Sequence, residues 1–152
     1  GQVDGPKLGI PDQGGDSQFL QRFALQTHGA FNQTSAMKFS LEHQNPFVTG
    51  VVTGTNPSYS ENNYSFLTIS DPDILLWALK PAEDGINHGV VTRVWNQANS
   101  ARDYTLSLVP DILSGQRTTH IETDIANASI ISGDLSASLA ANQIQTHRLQ
   151  FR

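Results

Sequence analysis

From Tyr64 to the C-terminus, short runs rich in β-forming residues recur about every 8 to 12 positions with turn chemistry between them, and this spacing limits the fold more than any other feature. Residues 66–69 lead into Asp71-Pro72-Asp73, residues 74–79 into the stretch 83–89, and residues 90–95 into a run at 104–109. In that last run Tyr104, Leu106 and Leu108 alternate with small polar residues, which marks one face as core. Pro110-Asp111 and Gly115 punctuate the next connection, followed by predicted strands at 117–122, 128–131, 135–139 and 144–151. Strands this close together leave no room for crossover helices, so an antiparallel sandwich or barrel is expected rather than βαβ units. Residues 74–79 are apolar on both faces, the pattern of a central strand.

The N-terminal part is harder to read. Residues 1–18 carry five Gly and two Pro with few large apolar side chains and are expected to be a lead-in. Over residues 19–28, Phe19/Phe23 and Leu20/Ala24 fit helical spacing while Phe19, Phe23 and Leu25 also share a strand face, so periodicity leaves both open. In residues 36–52, Met37, Phe39 and Leu41 alternate, then His43-Gln44-Asn45-Pro46 interrupts, then Phe47, Val48, Val51 and Val52 follow; two strands are predicted. The Gly-, Pro-, Asn- and Ser-rich stretch 53–63 is the best internal boundary. It divides the chain into residues 1–60 and residues 61–152.

Composition excludes several functions. The 152 residues carry a formal charge of −5 with only nine Lys and Arg, which lacks the clustered positive charge that nucleic acid requires. The longest uninterrupted apolar run, Ile74 to Leu79, falls far short of the roughly 20 residues of a membrane-crossing helix. With no cysteine, neither a disulfide framework nor a thiolate metal site exists. The lead-in shows no signal-peptide pattern, and no compartment is legible.

Few side chains suggest chemistry. Glu83 and Asp84 are neighbours, and adjacent residues on an extended chain point apart, so they are poorly placed to flank one glycosidic bond. Asp71 and Asp73 share a face but fit turn chemistry better. His28, His43, His88, His120 and His147 are scattered, with no HxH or HxxxH unit; His120 and Glu122 would share a strand face, but no third ligand is identifiable. The nucleophile elbow, the phosphate loop and the dinucleotide fingerprint are all missing. No catalytic or metal-binding residue is therefore assigned. Trp77, Trp95 and Tyr104 fall in apolar runs and are expected in the core. Tyr59 and Tyr64, in or beside the polar loop, are the candidates for carbohydrate binding, because an aromatic face offers a sugar ring a broad apolar platform. Three Asn-x-Ser/Thr sequons, at Asn32, Asn63 and Asn127, carry no weight in so polar a chain.

Several stretches, in order, resemble the C-terminal region of glycoside hydrolase family 38 α-mannosidases. They are Asp12-Gln13-Gly14-Gly15-Asp16 with Phe19; Phe23 to Gly29; Gln44-Asn45-Pro46-Phe47; residues 66–69; the run from Ile74 to Gly85 ending Lys-Pro-Ala-Glu-Asp-Gly; Val91 to Asn96; and Ile144 to Leu149. Asn96 and Gln143 stand where the family often has acids. The resemblance implies a strand at the Phe19 segment, residues 1–60 completing a larger sheet, and residues 61–152 forming most of an immunoglobulin-like sandwich. It implies an enzyme that hydrolyses α-mannosidic bonds with zinc and an Asp nucleophile in an N-terminal catalytic domain of the same polypeptide. This chain would then be a non-catalytic accessory part without a cofactor of its own, stabilising that domain or, in a homo-oligomer, a sister subunit. The alternative is a carbohydrate-binding module in which Tyr59 and Tyr64 take a mannoside.

Overall fold

Alternating inward apolar residues build two antiparallel sheets, as the period-2 pattern requires. The computed structural model describes residues 22–51 and 64–151; the lead-in at 1–18, the loop 53–63 and Tyr59 lie outside these. The strands are β1 (Leu67–Ile69), β2 (Ile74–Pro81), β3 (Val90–Asn96), β4 (Arg102–Leu108), β5 (Ile112–Thr118), β6 (Asp124–Asn127), β7 (Ser129–Ile131), β8 (Asp134–Leu139) and β9 (Ile144–Phe151). One sheet has the order β1-β4-β8-β7 and the other β2-β3-β9-β5-β6. The two close over a core of Ile74, Val90, Val94 and Leu149 from one sheet and Tyr104, Leu106, Leu108, Leu135 and Leu139 from the other. Leu106, Leu135, Leu139 and Leu149 lose all contact with solvent, and each such burial contributes roughly 2 kcal/mol. The expected antiparallel β-sandwich is the fold observed.

Three local expectations change. First, β2 is an edge strand, not a central one. Only its start, Ile74 and Leu75, is buried, while Trp77 and Leu79 remain 45% and 41% exposed, because a register shift between Leu76 and Ala78 interrupts the pairing with β3. Its continuous apolar run reflects a second apolar surface outside the core.

Second, the strand expected at 117–122 runs over Ile112–Thr118, and residues 119–123 form a tight turn closed by Thr119 O accepting from Glu122 N at 3.1 Å. Gly115 does not break the strand. It lies where β5 meets β9, and a Cβ there would stand 2.7 Å from Leu149 Cδ2 and 3.2 Å from Ala128 Cβ, so its missing side chain is a packing requirement. The short, wholly exposed β6 carried no pattern that sequence could show.

Third, the strand expected around Met37, Phe39 and Leu41 is instead α1 (Gln33–Gln44). Asn32 caps it, Oδ1 accepting from Ser35 N at 2.7 Å, and Asn45 closes it through backbone and side-chain N–H bonds to Leu41 O, both 2.9 Å. An isolated extended segment leaves its N–H and C=O groups unpaired, whereas a capped helix satisfies them locally. Residues 22–28 and 46–51 adopt no regular element, so neither the strand implied for the Phe19 segment nor a strand at Phe47–Val51 is present among the described residues.

The helix touches the sandwich through polar groups. Thr34 Oγ1 donates to Asp73 Oδ1 at 2.7 Å and is the helix's buried residue. Around it Phe23, Leu25, Phe31, Phe47, Val48 and Val51 are 72% to 99% exposed.

Candidate functional site

The outer face of the five-stranded sheet carries the side chains of interest. Pairing of β3 with β9 sets Trp95 beside Ile144, Arg93 beside Thr146 and Val91 beside Arg148, the phase opposite to core residues Val90 and Val94. On this face Trp77 meets Trp95 edge to face, ring centroids 5.3 Å apart at 89°, and Trp95 Nε1 donates to Asn142 O at 3.2 Å. Arg93 is held rigidly: Nε donates to Thr146 Oγ1 at 3.0 Å and Nη2 to His120 O at 2.7 Å.

The turn 119–123 folds back over the same face. Lys80 Nζ bonds the Glu122 carboxylate, Glu83 N donates to Glu122 Oε2 at 2.8 Å, and Arg148 Nη2 holds both Asp124 oxygens at 2.7 and 2.9 Å. The Lys80 ammonium and the Glu83 N–H hold the Glu122 carboxyl below the usual carboxylate range, and the same ion pair raises Lys80. These contacts fix Glu122 at φ +66°, a conformation that side-chain-bearing residues rarely adopt, and cover Val91 to 1% exposure although it points away from the core. Beside the turn lies a groove of about 570 Å³ lined by Trp77, Arg93, Arg117, Thr118, His120 and Ile125 among others, none of them acidic.

Residues 73–147, which run from just before β2 into β9 and so include most of both sheets, match the glycosyl hydrolases family 38 C-terminal beta sandwich domain. This segment belongs to that family. No curated protein matches the chain.

In this family 38 sandwich the acids suggested by sequence are structural. Asp71 Oδ1 accepts from Asp73 N at 2.8 Å, and Asp73 receives Thr34 on one oxygen and Arg102 Nη2, 3.2 Å away, on the other. Glu83 lies in the turn after β2, its carboxylate 3.3 Å from Lys80 Nζ. His120 and Glu122 do not share a strand face; both sit in the 119–123 turn, where the His120 carbonyl and the Glu122 carboxylate are taken by Arg93 and Lys80. No group of three or more potential metal-ligating side chains converges among the described residues.

Tyr64 is exposed ahead of β1 and does not line the groove. The tryptophans expected in the core are instead on the outer face, Trp77 half-exposed and Trp95 partly buried. Sequence showed that Val91 and Trp95 oppose Val90 and Val94, but not which of the two faces met the other sheet. The reverse surprise is His147. Its phase with Leu149 places it inward, where it is 2% exposed with Nδ1 unpartnered, and burial, reinforced by Arg117, pushes its pKa down to about 4. Tyr104 is a further buried group; its unpartnered hydroxyl is harder to ionise because of burial.

Proposed function

We propose that this chain is the non-catalytic C-terminal part of an α-mannosidase-like glycoside hydrolase, stabilising the catalytic domain of the same polypeptide. The observation that carries this proposal is the family 38 sandwich match over residues 73–147. Cleavage of α-mannosidic bonds, the zinc ion and the mannoside substrate belong, in this proposal, to the N-terminal catalytic domain. Two features of the described residues support the division. Asp71, Asp73, Glu83, Glu122 and Asp124 each pair with an arginine or lysine that shapes a turn or strand, a structural use of these acids. Phe23, Leu25, Phe47 and Val48 are 84% to 99% exposed, an apolar surface that calls for a protein partner.

The test uses the longer enzyme containing this region. Phe47→Ser combined with Val48→Ser is expected to lower its Tm by several degrees, about 2 to 4 °C for each kcal/mol of lost contact in a large domain, while kcat/KM on 4-nitrophenyl α-mannoside at low temperature stays the same. An unchanged Tm overturns the stabilising role.

A further inference from the structure

The groove beside the 119–123 turn has no part in the accessory role, yet its walls are unusual for this chain. The protein is acidic, with 14 Asp and Glu against nine Lys and Arg, but the lining holds Arg93 and Arg117 and no carboxylate. Arg93 is immobilised by Thr146 and His120, which leaves its Nη1 group free to donate. Arg117 also borders the groove, but its pairing with His147 gives its side chain the inward phase, so Arg93 is the cation that faces the groove. On the same wall Thr118 is 4% exposed, its Oγ1 buried without a partner. Trp77, pinned against Trp95, presents a half-exposed indole at the edge of this cationic surface. At about 570 Å³ the groove lies within the roughly 300 to 1,000 Å³ of small-ligand sites.

We propose that this groove binds a sugar bearing an anionic substituent, with the pyranose ring against Trp77 and its phosphate or carboxylate held by the free Nη1 of Arg93. Stacking supplies a sequence-tolerant apolar contact for the ring, and guanidinium groups recognise planar or tetrahedral anions through charge-assisted bonds. The site does not depend on the accessory role, which rests on the family match.

The experiment is a calorimetric and NMR titration of the 152-residue chain with mannose 6-phosphate, glucuronate, methyl α-mannoside and inorganic phosphate. Mannose 6-phosphate or glucuronate is expected to bind at least about tenfold more tightly than methyl α-mannoside, to perturb the Trp77 indole and the amides of Arg93, Thr118 and His120, and to weaken as salt is raised. Which of the two binds identifies the anion. Trp77→Ala is expected to weaken binding about tenfold, and Arg93→Gln, which leaves the Trp77–Trp95 pair in place, to remove the preference for the charged sugar. Phosphate alone binding as well as mannose 6-phosphate, equal affinity for the neutral sugar, or no saturable shift, as for a face covered by another protein domain, would each overturn the proposal and leave the family assignment untouched.

Discussion

Asn96 Nδ2 donates to Ala140 O at 2.9 Å and, from a side chain with no solvent exposure, also reaches Ser100 O at 2.8 Å, while its Oδ1 accepts from Ala98 N at 2.9 Å. One amide thus joins the turn after β3 to the turn before β9. A carboxylate can accept from Ala98 but cannot donate to two carbonyls, which would instead face a buried negative charge. Asn96→Asp is expected to cost roughly 3 kcal/mol in urea unfolding at pH 7, and the cost should shrink as pH falls and the new acid is protonated. A loss under about 0.5 kcal/mol would show that the amide is not needed.

His147 gives the sandwich a dependence on pH. Its imidazole binds a proton near pH 4 when folded, against 6.5 ordinarily, so between those values the unfolded chain carries more protons. Stability from this residue is complete above about pH 6.5 and is lost as pH falls toward 4, a total of roughly 3 kcal/mol at 1.36 kcal/mol per pH unit. His147→Gln should flatten the stability curve across that window. An imidazole that titrates near 6.5 by NMR in the folded chain would refute the buried neutral state.

The contact between Thr34 and Asp73 governs α1. A 12-residue helix is marginal on its own, and this one reaches the sandwich chiefly through a hydrogen bond to a charged acceptor, a type worth roughly 1.5 to 3 kcal/mol. Thr34→Val is expected to speed amide exchange across residues 36–44 at least tenfold, with exchange in β3, β4 and β9 unchanged. Undiminished protection in the helix would mean that other contacts hold it.

How much of this was legible in the sequence depended on whether pattern and packing coincide. Strands β3, β4, β8 and β9 were readable because inward residues such as Tyr104, Leu106 and Leu108 recur every second position beside polar ones, and an antiparallel sandwich followed. Residues 36–44 misled because Met37, Phe39 and Leu41 mimic alternation, while what decides the helix is the capping by Asn32 and Asn45. Gly115 suggested a turn because its reason, the approach of Leu149, lies far away in the chain. The groove was hidden for the same cause: Trp77 and Trp95 look like core residues until the sheet shows which side is inward, and Arg93 and Thr118 join them only through the pairing of β3 and β5 with β9.

The accessory role is tested most directly by assaying the purified chain with zinc and 4-nitrophenyl α-mannoside. No nitrophenolate release above the buffer rate is expected, because the accessory role assigns the zinc ion and the paired carboxylates of the reaction to the N-terminal catalytic domain. Turnover that a chelator abolishes and zinc restores would contradict it.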